Sequence, residues 1–244
     1  MTSSLGQNRI IHLGPENPSL LCLQNVHVSE HIWDGRKHLI LKVRKSQFIP
    51  TGLDGVPQEI LPHLEIARFT RIARVYQFPL DLPLIIALVE RWSLETHTFH
   101  LPQGECTITL QDIFVLLGLQ IDGRPMIAPI GGNYADIVEE SLGIRPSRDA
   151  FVGSFLKMSW LDQHFTHVAM HAQNPLQITR FVRAYMLRLI RGFILNDHSS
   201  SRVSMRYLPL LEDFDITGEY SWGLQYWEYC IESCVWPPTL IGMV

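Results

Sequence analysis

Few residues in this chain have the types and spacing that chemistry requires. His97 and His100, with Cys106 across a turn, would offer three ligands to a divalent metal. Odd and even positions of a strand face opposite sides, however, so the two imidazoles are expected to point apart and pack as ordinary hairpin residues. His164, His167 and His171, at spacings of three and four, share one helical face and suit imidazole ligation better, with a solvated polar face as the plainer reading. Cys230 and Cys234 lack a second pair and read as ordinary thiols. Glu90, Glu95, Glu105 and Asp112 would supply an acid and a base, but helix capping and an ion pair to Arg91 account for them. No nucleophile sits beside a convincing base, and no glycine-rich phosphate loop has the required spacing. These residues therefore assign no catalytic, cofactor-binding or metal site. What remains is a basic face, Arg68, Arg71 and Arg74 with Lys42, Arg44 and Lys45, able to meet an acidic partner or a nucleic acid, or to lie simply solvated.

The elements that must position these groups are mostly helical. Ile60, Leu64, Ile66, Ala67, Phe69, Ile72, Ala73 and Tyr76 form an apolar stripe at helical spacing, which predicts one helix from Glu59 with the arginines on its other faces. Asp81 is placed to cap a second helix that tolerates Pro83 in its first turn and ends near Trp92. Thr98–Leu101 and Cys106–Ile108 alternate around Pro102-Gln103-Gly104-Glu105, a β-hairpin pattern. Thr109 and Asp112 have the spacing of a capping box ahead of Ile113–Leu117, which Gly118 closes. Further helices are expected at Tyr134–Leu142 with Gly143 behind it, at Ser159–Phe165, from Asn174-Pro175 to Leu195, and from Glu219 onward. Short strands are expected at His38–Phe48, which carries the lysines, and at Val203–Tyr207. Aromatic Trp92, Phe99, Trp160, Tyr185 and Trp222 read as core before they read as a ligand groove.

At 244 residues, 46% hydrophobic and 18% charged, the chain has the material for a sizeable core and too little charge for disorder. A net charge of −4 argues against a generally basic, nucleic-acid-binding surface. Four cysteines are too sparse for a disulfide scaffold, the first residues lack a secretory signal, and the apolar runs are too short to span a bilayer. A soluble intracellular protein is expected. Residues 1–30, with Gly14-Pro15 and Asn17-Pro18, read as an arm docking through Leu20-Leu21-Cys22-Leu23, and the glycine- and proline-rich stretch 122–133 as a flexible boundary between lobes.

The run Leu88-Val-Glu-Arg-Trp-Ser-Leu-Glu-Thr-His-Thr-Phe-His-Leu-Pro102, followed by Gly104-Glu-Cys-Thr-Ile-Thr-Leu-Gln-Asp112, resembles the central signature of the plant mobile domain. His31-Ile-Trp-Asp-Gly35, Leu116-Leu-Gly-Leu119, Ser159-Trp-Leu161, Ala184-Tyr-Met-Leu187, Tyr207-Leu-Pro-Leu-Leu-Glu-Asp-Phe214 and Tyr220-Ser-Trp-Gly223 extend the likeness over roughly residues 15–223. Taken with the element pattern, it implies a mainly α fold, a helical domain over 31–223 with a small central β-hairpin and minor additional strands. After Gly223 the chain departs from the alanine- and leucine-rich helix usual in the family, so 224–244 is expected to be an atypical, truncated tail.

The resemblance further implies a non-enzymatic nuclear interaction module of transposon-related origin, concerned with meristem maintenance, genome integrity and transposon silencing. It implies a serine/threonine-phosphatase-like nuclear protein as partner, with DNA or chromatin reached indirectly and no cofactor. Direct DNA or chromatin binding is the second reading; a pyridoxal- or metal-dependent enzyme is a distant third. The family's "aminotransferase-like" label does not suit this chain, because pyridoxal chemistry needs a Schiff-base lysine with an acid at the pyridinium nitrogen. Lys37, Lys42, Lys45 and Lys157 are the only lysines, and none lies in such a context.

Overall fold

The computed structural model describes residues 55–75, 81–101, 104–128, 131–166, 168, 174–194 and 201–233. It is mainly α with two small three-stranded antiparallel sheets. Of the described residues, 81–108 and 231–233 belong to one compact unit and the others to a second. The expected arm at 1–30 and the strand at His38–Phe48 lie outside the described residues.

The second unit opens with α1 (Leu61–Ile66) and α2 (Thr70–Val75), where the apolar stripe predicted a single helix. Of the stripe, Ile60, Leu64, Ala67, Phe69, Ile72 and Ala73 are buried, but Ile66 is 47% exposed, Tyr76 lies outside the described residues, and the helix is not continuous. Arg68 turns left-handed at φ 60°, its N–H donates to Glu65 O at 3.1 Å, and Phe69 N–H reaches back to Leu64 O at 2.8 Å. That pair of bonds is a Schellman stop, with buried Phe69 and Leu64 as its hydrophobic contact and arginine where glycine usually stands. Gly218 explains why the stop falls here: a Cβ on it would lie 2.6 Å from the carbonyl oxygen of Ile66, so another helix touches the backbone at the break.

Within the first unit, Asp81 caps α3 (Leu82–Val89) by accepting from Leu84 N–H, with proline in the first turn as expected. The helix stops at Val89 instead of reaching Trp92. Trp92–Ser93 form β1, which pairs with β2 (Thr98–Leu101), and β2 pairs with β3 (Gly104–Cys106). The predicted hairpin is therefore part of a three-stranded sheet, and its third strand is too short to show a period.

The second unit resumes with α4 (Leu110–Leu117), closed by a left-handed Gly118, and α5 (Tyr134–Leu142), capped by Asn133 and closed by left-handed Gly143. The loop between them is tied down at Arg124. Its backbone bridges Tyr220, and its N–H donates to Glu219 O at 2.8 Å. The described part of 122–133 thus lies inside the second unit. β4 (Phe151–Val152), β5 (Phe155–Lys157) and β6 (Arg202–Ser204) make the second sheet, and α6 (Met158–His164) follows β5 directly. After β6 the segment predicted as strand tightens into a 3₁₀ helix over Met205–Leu211 that contains Pro209.

Asn174 opens α7 (Pro175–Leu189), which continues as a π-helical turn over Ile190–Ile194. Every residue from Ala184 to Ile194 is buried, so α7 is the axis of this core. It packs on α1, α5 and the 3₁₀ helix. α8 (Phe214–Glu219) and α9 (Trp222–Ser233) complete the chain's described elements, with Trp222 in edge-to-face contact with Phe69 and donating to Thr217 O.

Candidate interaction surface

Arg68, Arg71 and Arg74 are all exposed, but the break prevents them from forming one helical face. Arg68, in the stop, donates Nη1 to the side chain of Gln120. Arg71 lays its aliphatic stem over Gly118, where a Cβ would meet its own at 2.9 Å, and donates Nη1 to Val115 O at 3.0 Å. It thereby satisfies a carbonyl in the last turn of α4, the end where a positive charge is favoured. Arg74 follows one turn later at the end of α2, which packs against α4. Lys42, Arg44 and Lys45 lie outside the described residues.

The structure thus brings two predicted arginines to the C-terminal end of α4. At the opposite end Thr109 and Asp112 close the expected capping box. Asp112 N–H donates to Thr109 Oγ1 at 3.2 Å and Thr109 N–H to Asp112 Oδ2 at 2.8 Å. The Thr109 hydroxyl and backbone N–H together hold the Asp112 carboxyl below its ordinary value.

Between these ends lies a feature that the sequence reading missed. Only Ile113 of α4 is buried, whereas Phe114, Val115 and Leu116 are 45%, 54% and 70% exposed. With 100° between successive residues, Val115 points away from Ile113 and Phe114 and Leu116 flank it, Leu116 about 60° from Ile113. The available signal was the unbroken apolar run 113–117, too long for one buried face of a helix to cover.

The metal-ligand candidates do not assemble. On β2 His100 pairs with Glu105, its Nδ1 3.8 Å from the carboxylate, while Cys106 pairs with Phe99 and faces the other side of the sheet. His97 occupies a left-handed turn position and stacks on Trp92. His164 stacks on Trp160 and shares a 2.7 Å hydrogen bond with its carbonyl; His167 and His171 lie outside the described residues. Among the described residues no group of three His, Cys, Asp or Glu side chains is placed to hold a metal ion.

The remaining candidates have structural roles too. Arg91 donates to Ala87 O at 2.8 Å and Ser93 to Glu95 at 3.4 Å. Cys230 is buried, which pushes its thiol up to about 11, partly opposed by a hydrogen bond from Tyr226; Cys234 lies outside the described residues. Trp92, Trp160, Tyr185 and Trp222 are buried core residues, and Phe99 packs edge-to-face on Trp92. Lys157, the one lysine among the described residues, ends β5 opposite Arg202. None of the described helices is long and apolar enough to cross a membrane.

The pieces that recur here, a Trp-led hairpin, a capping box and a Tyr-Ser-Trp-Gly helix entry, span the same region as a family model: the model of the Plant mobile domain matches residues 68–225. The chain belongs to that family. Among relatives of this plant mobile domain, Protein MAIN-LIKE 2 of Arabidopsis thaliana is 38% identical over 210 residues, covering 86% of this chain and 31% of the relative. The Serine/threonine-protein phosphatase 7 long form homolog of the same plant is 36% identical, over 94% of this chain and 17% of its own length. Protein MAINTENANCE OF MERISTEMS, also from Arabidopsis thaliana, is 32% identical over 82% of this chain and 42% of its own length. The chain thus spans less than half the length of these relatives. No solved structure matches it.

Proposed function

We propose that this plant mobile domain is a non-enzymatic protein-interaction module of the nucleus. Its role is in meristem maintenance, with the genome integrity and transposon silencing that the family resemblance implies. The observation that carries this reading is the apolar outer side of α4. Three adjacent large apolar side chains in water are unfavourable by roughly 25 cal/mol per Å² of the area they expose, and a partner surface relieves that. The groups able to do chemistry are meanwhile occupied in caps, cross-strand pairs and stacking, which leaves no acid, base and nucleophile converging on one point among the described residues. The names of the relatives favour the same reading: one is named for meristem maintenance, and one carries this domain in a protein named as a phosphatase homolog. A serine/threonine-phosphatase-like nuclear protein is accordingly the partner class proposed here.

The test is affinity capture of the tagged chain from plant nuclear extract, with the bound proteins identified and bound DNA quantified in parallel. Recovery of a phosphatase-like protein in stoichiometric amount, lost with Leu116→Glu, is the expected result. DNA recovery that persists after the bound proteins are stripped away would replace this reading with direct DNA binding.

A further inference from the structure

The charges around α4 narrow what kind of surface fits it. We infer that α4 docks an amphipathic helical segment of a partner protein that carries carboxylates along one flank of its apolar stripe. This inference rests on the interaction reading and specifies its occupant.

The apolar part of the site is Phe114, Val115 and Leu116 on a helix of eight residues, about 12 Å long. The three apolar residues advance only about 3 Å along the axis, a footprint that one turn of a partner helix presenting residues at i, i+3 and i+4 covers. A strand would instead need an exposed sheet edge to extend, and the backbone of α4 is already bonded within the helix. The cationic part of the site lies at one end only. Arg71 is fixed there by its bond to Val115 O, Arg68 by its bond to Gln120, and Arg74 follows on the packed helix α2.

Two of the neighbouring carboxylates are engaged within the chain. Asp112 is held in the capping box at the opposite end of α4. Asp122 accepts from Gln120, and Glu65 stands on α1, before the break. The site therefore runs from an apolar middle to a guanidinium-rich end. Guanidinium groups favour carboxylates with planar, two-point hydrogen bonding, which selects an acidic flank. A parallel twofold contact through α4 would bring like-charged arginine ends together and an antiparallel one would set each against Asp112, so self-association is the rival that sedimentation tests. Nucleic acid is a poor occupant, since its phosphates gain nothing from Leu116.

The experiment uses the full chain and two fluorescent peptides of about sixteen residues. Both carry leucines at helical spacing; one has glutamates on the flank and the other lysines. The glutamate peptide is expected to bind about tenfold more tightly at about 0.05 M salt, and the gap to shrink severalfold at about 0.5 M. Leu116→Glu should abolish binding. The double reversal Arg68→Glu with Arg74→Glu, which spares the packed Arg71, should switch the preference to the lysine peptide. Because that variant must fold in order to bind, the switch excludes simple unfolding.

Equal binding of the two peptides, or binding of neither, overturns the inference. So does sedimentation showing self-association that Leu116→Glu removes. It is overturned again if the thiol of Leu116→Cys, placed in a Cys106→Ser background, stays unlabelled in the native chain, since the face would then be covered by the chain itself. Capture of a nuclear protein that depends on Leu116 while neither peptide binds would sink this inference and leave the interaction module standing. Loss of both sinks both.

Discussion

Three backbone carbonyls converge on the guanidinium of Arg183 in α7. Nη1 donates to Ser141 O at 2.9 Å, Nε to Leu211 O at 3.1 Å and Nη2 to Glu212 O at 2.7 Å. One side chain thus joins the end of α5, the end of the 3₁₀ helix and the turn into α8, and burial draws its guanidinium below the usual arginine value. Arg183→Met leaves these acceptors partly desolvated and unpaired. It should lower the unfolding free energy by about 3 kcal/mol in urea titration, and Arg183→Lys, with a single ammonium, should recover less than half of that. A loss no larger than that of exposed Arg206→Met would refute the role. Cys230 makes a pH-dependent prediction. Its folded value of about 11 lies above the unfolded one, so the folded state keeps its proton where the unfolded state has lost it. Its contribution is present in full below the unfolded value near 9 and declines as pH rises to about 11. Across that window Cys230→Ala should flatten the fall in stability by about 2–3 kcal/mol, and parallel curves for the two chains would show that the thiol is not responsible.

Single substitutions at the joint between α1 and α2 should act opposite to helix propensity. Ala is ordinarily about 1 kcal/mol better than Gly inside a helix. Gly218→Ala in α8 should nevertheless destabilise the domain, by about 2 kcal/mol or more, because the added carbon meets the Ile66 carbonyl rather than open space. Arg68→Gly should do the reverse. It relieves a left-handed arginine at a Schellman stop, worth about 1 kcal/mol, against the loss of one exposed hydrogen bond to Gln120. Thermal melts of the two variants that moved in the same direction would contradict the geometry of the joint. The joint also marks where the sequence stops being readable. Caps were legible because Asp81, Thr109 and Asn174 act on N–H groups two or three residues away, and the apolar stripe of α7 was legible because burial repeats every turn. The split of the first helix was not, since its cause, Gly218, lies some 150 residues downstream by the numbering of the two sites. The same holds for β1, where Trp92–Ser93 is a strand only through pairing with Phe99 and Thr98, and for the 3₁₀ helix that replaces the expected strand up to Tyr207.

For the molecule as a whole, the candidate surface was half legible. Exposed arginines at 68, 71 and 74 announce themselves by charge, whereas Phe114, Val115 and Leu116 look like core, because a sequence records hydrophobicity and not whether the fold covers it. That distinction separates what the protein-binding and DNA-binding readings predict. Read as charge alone, the arginines would serve as phosphate contacts, and three of them would release counterions with a slope of about 2.7 in log affinity against log salt. The apolar residues beside them offer phosphate nothing, and the chain carries a net charge of −4 that repels a polyanion. A fluorescent duplex of about 20 base pairs, titrated at salt from about 0.05 M to about 0.2 M, should therefore show no saturable binding by the full chain. A slope near 3 that disappears in the Arg68→Glu, Arg74→Glu variant would mean that the charges, and not the apolar side of α4, carry the function.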